Sequence, residues 1–255
     1  MTRATRLRTE IVIVLGLSLG ASAVYSIVSL IAALASDTSL ANQSVALNPS
    51  RSTRQWLDAT YQFLGPFFEL FAVALALYLL SLNGRNPFRQ IGCDRARPWW
   101  DVVIGWLLVA VVGVPGLALY AAGRALGITK AVEASSSISD WLWWTVPILV
   151  FRALVAALSE EIIVVGYLCT RLRELGVGWW ATIIGAAILR GSYHLYQGIG
   201  PFVGNVIMGV LCGWCYRRWG RVMPLVIAHT LLDVLSFVGY PLAVAWWPAV
   251  FTASR

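Results

Sequence analysis

The sequence predicts an all-α, polytopic membrane bundle of seven or eight transmembrane helices. Three observations predict it. Of the 255 residues 59% are hydrophobic and only 12% charged, against about 25% charged in an ordinary soluble domain. Lipid tails solvate that much apolar surface and water does not. The apolar residues fall into runs long enough to cross a bilayer, without the period-two alternation of a lipid-facing barrel strand. The basic residues sit in short clusters between the runs. The same composition excludes disordered, collagenous, coiled-coil and disulfide-rich secreted classes.

The first span is the uncharged run Ile11 to Ala35, about 37 Å at 1.5 Å per residue, against a hydrocarbon core of roughly 30 Å. Ala33-Leu34-Ala35 resembles a signal-peptidase site, but the run exceeds the length of a signal peptide, so an uncleaved anchor is expected. Further runs follow at 59–82, 102–123, 141–168, 177–195, 199–216 and 222–240. A last stretch, 241–252, is too short to cross untilted, hence seven or eight. In the sixth run Gly200 with Gly204 and Gly209 with Gly213 have the small-xxx-small spacing that allows close helix approach. Residues 36–55 and 124–140 read as the longest polar connections. No internal repeat or separate soluble domain is visible. The expected division is 1–98 for the first two helices, 99–245 for a catalytic helical core and 246–255 for a short tail.

A formal charge of +7 and a pI near 9.6 would suit a nucleic-acid partner, but 18 of the 19 basic residues are arginines placed as topology signals. Arg3, Arg6 and Arg8, then Arg85, Arg89, Arg95 and Arg97, then Arg171 and Arg173, then Arg217, Arg218 and Arg221 all fall on one side. The positive-inside rule makes that side, and the amino terminus, cytoplasmic in a plasma-membrane protein. No nucleic acid is expected as partner; membrane lipid is. Cys93, Cys169, Cys212 and Cys215 have no metal-site spacing beyond the last two, which lie in an apolar run and read as small hydrophobic filler. Trp99, Trp100, Trp141, Trp143, Trp144, Trp179, Trp180, Trp246 and Trp247 fall near span ends, as an interfacial belt requires.

Ionisable groups within a membrane cost at least about 2.5 kcal/mol each on insertion scales, so those present are functional candidates. They are Glu69, Arg152, Glu160, Glu161, Arg190, His194, His229 and Asp233. Both histidines of the chain, His194 and His229, are among them. His229 with Asp233, and Arg190 with His194, are i, i+4 pairs that share a helix face. Glu160 and Glu161 lie about 100° apart on an α-helix, which gives one to the cavity and the other to a different partner. Depths counted from the cytoplasmic helix ends are about 10 Å for His229, 15 Å for Glu160 and 25 Å for His194, an imperfect agreement. Glu69 and Arg152 lack a motif and read as helix-locking or lipid-interface groups.

Ser159-Glu160-Glu161, Arg190 to His194 and His229-Thr230-Leu231-Leu232-Asp233, in that order and each in a membrane run, resemble the CPBP family of intramembrane endopeptidases. That family comprises CAAX proteases and bacteriocin-processing, Abi-like relatives, and is marked by EExxxR, FxxxH and HxxxN/D. The resemblance spans about residues 100–245, and Tyr193-His194-Leu195-Tyr196-Gln197-Gly198 with Arg217-Arg218-Trp219-Gly220-Arg221 looks like a bacterial subgroup. For such a subgroup prenylated substrates are not expected. The resemblance implies hydrolysis of a peptide bond in a membrane-associated protein or peptide. Glu160 would be general base, His194 would hold the water, and His229 with the residue four further on would stabilise the oxyanion. An ionised Asp233 cannot donate there as the family's Asn would, so it is expected to orient His229 instead.

Two positions depart from the pattern: Val165 stands where Arg is expected and Arg190 where Phe is expected. A swap accounts for both, with Arg190 pairing Glu161 across the cavity, so that Arg190→Leu should abolish function and Val165→Arg restore it. A metal version stays open, with zinc on His194, His229 and Glu160, but there is no HExxH helix and no cofactor is favoured. The competing functions are a proton-coupled transporter, which would need matching polar groups in the first half, and a non-catalytic bacteriocin-immunity type membrane protein.

Overall fold

A computed structural model describes residues 1–134 and 143–251. Trp141 and the far end of the second polar connection lie outside them, as does the tail beyond Phe251. The described residues are almost wholly helical: α1 Arg3–Gly16, α2 Leu19–Leu34, α3 Gln55–Ser81, α4 Pro87–Gln90, α5 Pro98–Ala125, α6 Thr145–Leu158, α7 Cys169–Glu174, α8 Trp179–Ser192, α9 Ile199–Trp219, α10 Met223–Trp246 and α11 Pro248–Phe251. Residues Ser159–Leu168, joining α6 to α7 without a break, are π-helical. Among the described residues α3, α5, α9 and α10 are each long and apolar enough to cross a membrane. The protein is thus a helical membrane bundle, and with the bent pair α1–α2 taken as one span up to five spans pass this test among the described residues, where the sequence predicts seven or eight.

The differences have local causes. The first run is not one straight span: α1 and α2 meet at a 53° bend, where the Ser18 hydroxyl donates to the Val14 carbonyl. The fifth run yields a 14-residue α8, about 21 Å long and short of a bilayer core. The stretch 241–252 does not begin a new helix: Pro241 lies inside α10, which continues to Trp246, and the four-residue α11 follows. A proline costs one backbone bond, and membrane helices tolerate that where neighbours satisfy the freed carbonyl. The two polar connections join through a short parallel ribbon, β1 Ser44–Ala46 against β2 Ala131–Glu133, a small β element in a helical fold.

Packing centres on the π-helical segment, all ten residues of which are buried. Its run Ile162-Ile163-Val164-Val165 is β-branched, a crowded choice for an α-helical turn that the wider i→i+5 turn relieves. Helix α3 packs on α6 and this segment, α10 on α5 and α6, α9 on α5 and α8, and α2 on α8. At one end, buried Arg171 pairs with Glu10 of α1 at 3.1 Å and with Glu174 at 2.8 Å, while Asn83 donates to Glu174. Elsewhere Val222 and Met223 donate their N–H groups to Ile91 and Gly92 at 2.9 and 3.2 Å, and Arg221 pairs with Asp94 and Asp101. Arg171 thus reaches the first helix, and Arg221 the loop before α5. Trp99 and Trp143 are each 82% exposed, and Trp180, Trp246 and Trp247 are exposed as well, as a belt at the lipid interface requires.

Candidate active site

Glycine decides how closely α8 approaches α9. A Cβ on Gly209 would stand 2.8 Å from the Ala187 Cα and 3.3 Å from the Arg190 Cδ, so only glycine lets the two helices meet here and deliver Arg190 inward. Arg190 lies in the last turn of α8, where the carbonyl end of the helix dipole favours a cation. It is completely buried.

Its guanidinium bridges both glutamates: Nη1 donates to Glu161 Oε1 at 2.7 Å and Nη2 lies 3.2 Å from Glu160 Oε2. Nη2 also lies 3.2 Å from His229 Nδ1. The Arg190–Glu161 pair expected from the swapped motif positions is therefore present. The expected separation of the two glutamates is not, because adjacent residues diverge less in angle on the wide π turn and one planar fork spans both. Val165 is buried in the apolar core instead.

Beyond Arg190 the two carboxylates take different partners. Glu160 Oε2 accepts from the Tyr193 hydroxyl at 2.9 Å. Glu160 Oε1 faces His194 Nε2 at 3.8 Å, and that nitrogen is buried with no hydrogen-bond partner among the described residues. Glu161 Oε1 lies 3.0 Å from His229 Nδ1; a carboxylate only accepts, so Nδ1 carries a proton and donates to it. The orienting bond to His229 thus comes from Glu161. Asp233, to which the sequence assigned it, stands 3.6 Å from Nε2, outside hydrogen-bond range.

His194 is not on the helix face it was expected to share with Arg190. Helix α8 ends at Ser192, and His194 lies in the turn that follows, donating its N–H to Gly191 at 2.9 Å. Gly198 closes this turn with φ +118 and sits against the Ile128 carbonyl, a position where a side chain would be both strained and blocked. Gln197 donates from Nε2 to the Tyr196 hydroxyl at 2.9 Å and to His194 Nδ1 at 3.3 Å. His194 therefore keeps its proton on Nε2, facing Glu160.

The discrepancy in depth has a simple origin. The helix that carries Glu160 runs on to Glu174, which sinks Glu160 to about 21 Å, and α8 from Trp179 ends at nearly that depth, just before His194. Helix α10 starts below the surface, since Val222 is fully buried against the 91–94 loop, and His229 gains depth accordingly. Sequence reasoning gave no role to Tyr193 or Gln197. The available signal was a hydroxyl and an amide flanking the intramembrane histidine. Glu69 and Arg152 are electrostatic neighbours of the cluster, with Glu69 close to Ser159, Glu160 and Arg152, and they form no part of the bridge.

The Arg190 guanidinium stands 3.2 Å from Glu160 Oε2 and from His229 Nδ1, so a cation already lies beside both groups. Among the described residues no group of three or more His, Cys, Asp or Glu side chains is placed to hold a metal ion.

The fold and the site together define a helical membrane protein with a buried cluster of acid, imidazole and guanidinium. Residues 142–235 match the family model described as Type II CAAX prenyl endopeptidase Rce1-like, in keeping with the CPBP/CAAX protease family that the motifs resemble. The match covers a little over a third of the chain, less than the 100–245 suggested by the motifs, and contains all six cluster residues named from the sequence. No curated protein and no solved structure gives a match.

Proposed function

We propose that the protein is an intramembrane endopeptidase that hydrolyses a peptide bond of a membrane-associated protein or peptide, using water activated by Glu160 and no metal. The observation that carries this reading is the facing pair Glu160 Oε1 and His194 Nε2, 3.8 Å apart. That separation is too long for a direct bond, and one water can bond to both atoms at about 2.8 Å. Tyr193 and Arg190 hold the other oxygen of Glu160, so Oε1 is the free base. Water donates one proton to Oε1, accepts from His194 Nε2–H, and presents its remaining lone pair to the substrate carbonyl. Glu160 then passes the proton to the leaving amine. His229 acts as the doubly protonated imidazolium: Nδ1–H is held by Glu161, and Nε2–H, beside Asp233, donates to the oxyanion.

The arginine clusters support a cytoplasmic amino terminus and a plasma-membrane location by the positive-inside rule. Cleavage of a labelled membrane peptide by the purified protein, lost in Glu160→Gln and His194→Ala and unaffected by strong chelators, tests the proposal. Proton flux into proteoliposomes without cleavage would favour the transporter reading. Neither activity would favour the immunity type.

A further inference from the structure

The turn that carries His194 is held from outside the matched segment. Three of its N–H groups bond within the local chain: His194 to Gly191, Gln197 to His194 and Gly198 to Leu195. Tyr196 N–H instead donates to the side-chain oxygen of Ser26, on α2, at 2.7 Å. Ser26 is 3% exposed and lies with Ala23 and Ala33 on the narrow buried stripe of α2, whose other faces look outward. A backbone N–H left unpaired inside the bundle is costly, so the bond fixes where the turn sits against α2. His194 is two residues away, and its Nε2 must stand at one particular distance from Glu160 to share a water with it.

We propose that Ser26 is a positioning residue: through its bond to Tyr196 N–H, α2 sets the placement of His194 opposite Glu160, and the site is incomplete without the amino-terminal part of the chain. The proposal deepens the protease reading and rests on it for its kinetic consequence. Its structural half stands separately.

The test uses the full chain in lipid nanodiscs with Ser26→Ala and Ser26→Thr. In Ser26→Ala, amide exchange in peptides covering 193–198 should quicken about tenfold, as for loss of one buried bond, while peptides from α8 and the unfolding midpoint stay unchanged. On a peptide that the wild type cleaves, kcat should fall about tenfold with KM within about twofold. Ser26→Thr keeps the hydroxyl and should restore both. Wild-type exchange in the turn of Ser26→Ala overturns the proposal, as does quickened exchange with kcat unchanged or failure of Thr to rescue. Should the wild type cleave nothing while exchange responds as stated, the protease reading and the kinetic half fall together and the contact itself stands.

Discussion

Replacing Arg190 by leucine probes the cluster where it is most vulnerable. The guanidinium is fully buried and lies at 2.7 Å from Glu161, 3.2 Å from Glu160 and 3.2 Å from His229. Were the two contacts to the carboxylates ordinary interhelical hydrogen bonds, at about 0.6 kcal/mol each in a membrane protein, losing both would cost about 1 kcal/mol. Arg190→Leu does more, because it strands two carboxylates without their cation, and an uncompensated buried charge costs about 3–5 kcal/mol. The larger figure should prevail, near 4 kcal/mol or roughly a thousandfold in the folding equilibrium. Unfolding in mixed detergent micelles, followed by the fluorescence of the 13 tryptophans, measures it. Arg190→Lys should fall between, since an ammonium keeps the charge and loses the fork. Adding Glu161→Leu to Arg190→Leu should cost less than the sum of the two single changes, with a coupling above about 1 kcal/mol. A loss below about 1 kcal/mol for Arg190→Leu, or additive double-variant energies, would show that the cluster is not held by its central charge.

Three further expectations follow from other parts of the fold. Glu160→Gln should lower kcat by about a hundredfold or more, as for loss of a general base, and a turnover assay showing wild-type rates would refute its assigned role. Gly209→Val should destabilise the bundle by about 1–3 kcal/mol by driving a side chain into the Ala187 backbone; Gly185→Ala, with open space around its Cβ, serves as the near-neutral control. Asp94, in the loop before α5, has its carboxyl held below the usual range by the Ala96 N–H and by Arg221. A depressed carboxylate stabilises above its unfolded value, near 3.9, and loses that contribution as pH falls through its lower folded value. The tie between this loop and Arg221 should therefore hold from pH 8 to about pH 5 and loosen only below about pH 4, measured as amide exchange of residues 219–223. Asp94→Asn should show the loosening at neutral pH, and loosening of the wild type between pH 7 and 6 would contradict the assignment.

Which residues meet was largely legible in the chain, and how they meet was not. A charge inside an apolar run is expensive wherever the run folds, so Glu160, Glu161, Arg190, His194, His229 and Asp233 could be picked out with no coordinates. The displaced arginine was legible for the same reason: a buried glutamate needs a cation from somewhere, and Arg190 faces Glu161 at 2.7 Å. The helical bundle and the grouping of arginine clusters likewise follow from composition and spacing.

Tertiary structure decided what depends on turn geometry and on partners remote in sequence. The β-branched run Ile162 to Val165 strains an α-helical turn without dictating where Ser159–Leu168 widens into a π-helix, yet that widening lets both glutamates reach one guanidinium. The end of α8 at Ser192 moved His194 into a turn, where Gln197 and Tyr196 surround it and a serine from α2 holds the backbone. Hydrophobic burial and the cost of buried charge act on residue type and can be read along a string. Hydrogen-bond placement acts over tenths of an ångström between distant segments, and only the packed bundle fixes it.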